Sequence, residues 1–290
     1  MKVAIAGAKG MLGSEFARHL SIDHEVLALS HIDLDVSDDA EVRRIILSEL
    51  PALIINCAVL SVDGCEADPE LARRVNVAGA GNLAKAAAAV DAELVHFSSN
   101  YVFDGQRQPG SFYTIDDEPN PASIYGQTKL AGERAVTNNH LRSFVVRTSW
   151  VFGPGKESFF STAVRSLRNM KTIRAISDVY GSATYLGDLV ERVLQIVALH
   201  HHGTYHVVNS GICSFAQFAF EVARVLGISD DQARDLIQTA ELRNFDFAAP
   251  RPFYTPMFCK TSAEIGLGPL RDWRKALSEY VDRQPQTPSA

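Results

Sequence analysis

The chain of 290 residues is long enough for one large α/β unit or two closely joined domains, and 46% hydrophobic with 21% charged residues describes a globular protein that buries a substantial core. A formal net charge of −6, spread without any basic stripe, argues against nucleic acid and against an anionic membrane as partners and leaves a small molecule. No uninterrupted apolar run approaches the roughly 20 residues of a membrane span, and Gly7 and Gly10 interrupt the N-terminal apolar run too early for a signal-peptide core, so a cytoplasmic location is expected.

Taken in chain order, short β-branched runs alternate with helical patterns: "KVAIAG", "MLGSEFARHL", "HEVLAL", "AEVRRIILSEL", "ALIINCA". This alternation predicts a parallel sheet with crossover helices. "ELARRVNVAGAGNLAKAAAAV" reads as one long alanine-rich helix leading into the strand "ELVHFSS", and the helix begun at "YGQTKLAGERAV" leads into the strand "SFVVRTSWV". Beyond residue 150 the alternation weakens, and prolines and aromatics gather at 245–258, although "YLGDLVERVLQIVALHHH" and "GTYHVVNSG" keep a helix-strand character. The expected class is α/β, a Rossmann-type doubly wound parallel sheet with a smaller C-terminal α/β substrate-binding region. Residues 1–150, rejoined by about 185–210, would form the dinucleotide-binding part. Residues 151–184 and 211–282 would form the substrate side, with a disordered tail at 283–290.

Cys57, Cys65, Cys213 and Cys259 lack the C-x-x-C spacing of a zinc site and read as free thiols. The run His200, His201, His202 cannot converge on a metal from one helix face; it reads as a helix end, where positive charge suits the carbonyl end of the dipole. No metal ligand set is assigned.

"GAKGMLG", residues 7–13, follows the first strand and opens a helix. Gly7, Gly10 and Gly13 permit a tight turn, close backbone approach to a pyrophosphate and close helix packing, with a purely structural glycine turn as the alternative. In "IYGQTKLAGE", Tyr125 and Lys129 stand four residues apart and share a helix face.

The spacing G-x-x-G-x-x-G and the Tyr-x-x-x-Lys pair resemble the short-chain dehydrogenase/reductase superfamily. "FSSNYVFDG", "YGQTKLAGE", "VVRTSWVFG", "VYGSATY" and a late "RP" are similar to the dTDP-4-dehydrorhamnose reductase family, over nearly the whole chain. The resemblance implies catalytic roles for Tyr125, Lys129 and Ser99. It places a dinucleotide on Gly7, Lys9, Gly10, Met11, Leu12, Gly13, Asp35, Val36, Asn56, Cys57 and Ala58 besides Tyr125 and Lys129. It places a sugar nucleotide on Ser61, Val62, Asp63, Ser99, Asn100, Trp150 and Arg251, with Trp150 alternatively a core aromatic. The implied activity is NADPH-dependent reduction of the 4-keto group of a nucleotide-linked 6-deoxyhexose, foremost dTDP-4-dehydro-L-rhamnose.

The chemistry agrees with that implication. Hydride addition to a ketone leaves an alkoxide that needs a proton and a hydrogen-bond donor. Tyr125 would supply the proton, Lys129 would lower the phenol from its ordinary pKa of about 10 while holding the nicotinamide ribose, and Ser99 would hold the substrate oxygen. Asn100 and Tyr101 stand where related 4,6-dehydratases carry an Asp-Glu pair, so dehydration is not expected. Asn100 also departs from the family's usual aspartate, and Ala183 from its usual proline, which leaves another 4-keto sugar open. "LALSH" ends the second strand without an acidic residue and Lys9 lies in the glycine loop, so NADPH is preferred over NADH, whose use stays open. A homodimer also stays open, because some relatives are metal-bridged dimers. The rival reading is a non-catalytic cofactor-binding subunit similar to the regulatory subunit of methionine adenosyltransferase.

Overall fold

Every second residue of the first strand faces a different layer. In β1 (Lys2–Ala6), Val3 and Ile5 join one apolar cluster and Ala4 and Ala6 another, none more than 1% exposed. Burial on both faces is what a parallel strand between two helical layers requires. The computed structural model describes residues 1–155 and 157–284. After β1 come α1 (Met11–Leu20), β2 (Glu25–Leu29), α2 (Asp39–Glu49), β3 (Leu53–Asn56), the short helices α3 (Val62–Ala67) and α4 (Pro69–Arg73), then α5 (Gly79–Ala89), β4 (Glu93–Ser99), α6 (Ile124–Asn139) and β5 (Ser143–Thr148). Further on lie α7 (Phe159–Arg168), α8 (Leu186–Ala198) and α9 (Phe215–Val225).

The sheet has six parallel strands in the order Gly203–His206, β5, β4, β3, β1, β2. Phe16 and Leu20 of α1 and the apolar face of α8 cover one side; α2, α5 and Val136 of α6 cover the other. This is the doubly wound Rossmann arrangement. Winding reverses at β1, which has β2 on one side and β3 on the other, and a ligand crevice opens at the carboxyl ends of strands at such a reversal.

A second core gathers outside the sheet. Phe152, Phe160 and Phe218 pack with Trp273 of the helix Trp273–Arg283, between α7 and α9. Arg271 grips Asp188 of α8 through two bonds of 2.8 Å, tying this part to the sheet. Arg283, expected in the tail, closes that last helix and pairs with Glu279; the rest of the expected tail, 285–290, lies outside the described residues. Among the described residues no helix is long and apolar enough to cross a membrane.

Three local expectations need correction. The long alanine-rich helix is interrupted by a π turn at Arg74–Ala78, a widening that turns Asn76 inward. Asn76 there donates to Thr128 Oγ1 of α6 (3.0 Å) and accepts from Leu60 N (3.1 Å). The strand expected to run through "SFVVRTSWV" stops at Thr148, because Trp150 takes a left-handed φ of 44°.

The histidine run does not finish a helix either. Helix α8 ends at Ala198, His200 has a φ of 50°, and His200 Nδ1 (2.9 Å) and His202 Nε2 (2.7 Å) both donate to Glu93 at the foot of β4. Burial would raise the Glu93 carboxyl, but these bonds and the histidine charges outweigh it and hold the group below the ordinary carboxylate range. A carboxylate so depressed adds stability above its unfolded-chain pKa and gives it up as pH falls through the folded value. Glu93→Gln is therefore expected to lose on the order of 1 kcal/mol near neutral pH and to show a shallower acid limb than the parent below about pH 4.5, as urea titrations across that range would measure.

Candidate active site

Beyond Ala6 the chain turns through Gly7 at φ 75°, where a Cβ would stand 2.7 Å from Ala58 N. Only glycine meets both conditions. Gly10 begins α1 with its N–H donating to Gly7 O at 3.0 Å, and a Cβ on Gly13 would stand 2.4 Å from that same carbonyl oxygen. No side chain caps α1 and no acidic residue occupies its first turn, so its first N–H groups are left available to an anion.

The crevice beside this turn is a cleft of about 580 Å³. Gly7, Lys9, Gly10, Met11, Leu12 and Gly13 line it from the loop, Asp35 and Val36 from beyond β2, Asn56, Cys57 and Ala58 from the end of β3, and Tyr125 and Lys129 from α6. The glycine cradle, the open helix terminus and the length of this cleft fit a dinucleotide. Asn56 shapes the wall: it accepts from Ala58 N (3.1 Å) and its amide meets His96 Nδ1 (3.0 Å). The sequence reading missed Ser30 and His31 after β2, Phe97 and Ser98 of β4 and Thr148 of β5. Each stands within two residues of the carboxyl end of a strand, a region the alternating pattern already marked.

Helix α6 starts firmly. Ser123 accepts from Gly126 N (3.1 Å), and Glu66 accepts from Ile124 N (2.7 Å). Tyr125, Lys129 and Glu133 then follow one face at intervals of four. Arg147 of β5 holds Glu133 in a fork (2.9 and 2.7 Å), and the Ser98 hydroxyl of β4 donates to the same carboxylate. Glu133 was missed although it lies inside the quoted motif, one further helical turn beyond Lys129.

Without the nicotinamide's charge, burial pushes the Tyr125 phenol up to about 12, opposed by hydrogen bonding with Ser99. Burial pushes Lys129 down to about 8, opposed by the charge of Glu133. Lys129 is 3% exposed, so the cost of desolvating its ammonium dominates.

Ser99, at the end of β4, accepts from Tyr101 N (3.2 Å) and donates to Asn100 Oδ1 (3.2 Å). Asn100, Tyr101, Trp150, Phe215, Phe247 and Arg251 line a second, smaller cleft. Trp150 stacks on Phe215 at 4.0 Å against the outer core and also lines this cleft. Of the expected substrate loop, Ser61 caps α3 by accepting from Gly64 N (3.2 Å), Val62 begins that helix, and Asp63 grips Arg251 (2.8 and 2.7 Å) and accepts from Ala249 N (3.1 Å). The Asn100 amide that the sequence reading offered to a sugar hydroxyl is engaged within the protein, its Nδ2 donating to Thr255 Oγ1 at 2.7 Å. Among the described residues no group of three or more His, Cys, Asp or Glu could hold a metal ion.

Gly13→Ala forces a methyl group onto the Gly7 carbonyl, and overpacking of this kind costs about 1–3 kcal/mol. The variant is expected to lose stability on that scale in urea titration and to bind dinucleotide at least about tenfold more weakly, as fluorescence titration would read.

The family model described as the RmlD substrate binding domain matches residues 1–285. A dTDP-4-dehydrorhamnose reductase from Mycolicibacterium smegmatis is 41% identical over 284 residues, covering 97% of this chain and 85% of that protein. A dTDP-4-dehydrorhamnose reductase structure from Clostridium acetobutylicum superposes with a TM-score of 0.89 at 35% identity, covering 97% of this chain and 99% of the other. One from Bacillus anthracis in complex with NADP superposes with a TM-score of 0.91 at 30% identity, covering 98% and 99%. With the family model matched over residues 1–285 and the Mycolicibacterium smegmatis relative 41% identical over 97% of the chain, the chain belongs to the dTDP-4-dehydrorhamnose reductase family.

Proposed function

We propose that this protein reduces the 4-keto group of a nucleotide-linked 6-deoxyhexose with NADPH, converting dTDP-4-dehydro-L-rhamnose to dTDP-L-rhamnose. The observation that carries the reading is the place of Tyr125 at the seam of the two clefts. It lines the dinucleotide cleft, and its ring meets that of Tyr101, which lines the second cleft, edge-on at 5.4 Å. A ketone held between the clefts would therefore meet both a hydride source and an acid.

When bound, the dinucleotide supplies the hydride. Tyr125 gives its proton to the oxygen of the reduced carbon, and a phenol raised to about 12 keeps that proton until an alkoxide forms. Ser99 steadies the same oxygen with a hydrogen bond. Lys129, buried on the Tyr125 face and lining the dinucleotide cleft, holds the ribose and brings positive charge to the site. The lean to NADPH rests on Lys9 and His31 in the cleft, the absence of an acidic residue ending β2, and the NADP complex of the Bacillus anthracis relative. Residues 151–184 and 211–282 are assigned to the sugar-nucleotide side, a reading supported by Val179, Phe215 and Arg251 in the second cleft.

The test is NADPH consumption with dTDP-4-keto-L-rhamnose made in situ. Tyr125→Phe is expected to cut turnover at least about 10²-fold while still binding NADPH. Parental turnover in that variant would refute the assignment of the acid. A parent that binds NADPH but turns over no nucleotide-linked 4-keto sugar would instead favour the non-catalytic subunit.

A further inference from the structure

A chain of hydrogen bonds leaves the catalytic serine and ends on a distant segment of sequence. Ser99 Oγ donates to Asn100 Oδ1, and Asn100 Nδ2 donates to Thr255 Oγ1. Thr255 is 1% exposed and Asn100 2%, so neither amide end has water as an easy substitute. With Thr255 taking the Nδ2 donor, the carbonyl end of the amide must face Ser99. Ser99 Oγ accepts from Tyr101 N and donates to Asn100 Oδ1 in the free protein. A neutral amide oxygen is a weaker acceptor than an alkoxide, so a proton held there is free to turn to the substrate oxygen as charge develops.

The far end of this chain is itself fixed by the fold. Thr255 N donates to Tyr180 O (2.9 Å), Tyr254 N to Gly105 O (3.1 Å) and Gly110 N to the Tyr254 hydroxyl (2.7 Å). The same stretch reaches α3 through the Arg251 fork on Asp63. The segment that walls the second cleft thus also carries the group that orients Asn100.

We propose that Asn100 and Thr255 are positioning residues: they set the Ser99 hydroxyl against Tyr125, and they do so only while the 245–258 segment is seated on the 101–113 loop. The inference rests on the reductase reading above. The amide joins the two hydroxyls by donating to Thr255 with one end while accepting from Ser99 with the other.

Thr255→Val keeps the shape of the side chain and removes the acceptor. It is expected to lower kcat at least about tenfold, the scale of a mispositioned reacting group, with NADPH affinity unchanged and with Thr255→Ser restoring most of the loss. In a Ser99→Ala background, Thr255→Val is expected to add no further loss, since its effect passes through Ser99. If Thr255→Val fails to bind NADPH, Asn100→Ala takes its place; it leaves no unpaired amide and follows the same pattern. Parental kcat in the valine variant, no recovery with serine, or an equal further loss in the Ser99→Ala background would each overturn the inference. A parent inactive on every nucleotide-linked 4-keto sugar removes the reductase reading and this inference together, whereas an active parent with indifferent variants removes the inference alone.

Discussion

The buried fork between Arg147 and Glu133 is the contact on which the site depends. Both side chains are 7% exposed, and the Ser98 hydroxyl closes the group, so one carboxylate fastens α6 to β5 and β4 together. A buried pair of this kind gives little net stability over apolar packing, but losing one partner strands a charge at a cost of roughly 3–5 kcal/mol. The consequence is geometric. Ser99 is the next residue after Ser98, and Lys129 and Tyr125 lie one and two helical turns before Glu133, so a single ion pair fixes Ser99 and the Tyr125–Lys129 face of α6 in one frame.

The same burial sets the resting electrostatics. The phenol is raised, the ammonium is lowered, and the nearest negative charge acting on Lys129 is the carboxylate of the fork. The free site therefore stores a protonated acid beside a lysine whose charge Glu133 helps to keep. His96, buried at the same wall, is pushed well below its ordinary range by burial and by Lys129, so it acts there as a neutral wall residue. Lys129 and Glu133 place charge on α6, Arg147 answers it from β5, and Ser98 of β4 adds a hydrogen bond.

The second cleft is built differently. Its walls come from segments with little regular structure, held by single contacts across long stretches of sequence: Asp63 with Arg251, Asn100 with Thr255, Gly105 with Tyr254. The aromatic cluster of Trp150, Phe160 and Phe215 backs one side and joins it to the outer core. The first cleft thus rests on the sheet and its helices and the second on pinned loops, the kind of segment that varies most readily.

The sequence by itself determined the sheet, the glycine turn and the Tyr125–Lys129 face, because each is written in local pattern: short apolar β-branched runs for the strands, three-residue steps between glycines, four-residue steps on a helix. The resemblance of its motifs to the family added Ser99, Asn56 and Asp35. Only the tertiary structure decided the π turn that brings Asn76 to Thr128, the early end of β5 at Trp150, and the clasp of His200 and His202 on Glu93. It alone joined Thr255 to Asn100 across 155 positions and Arg251 to Asp63 across 188. Spacing along the chain carries no record of such pairs, since they form only when separate elements are packed, and burial, which reset both Tyr125 and Lys129, is a property of the packed whole.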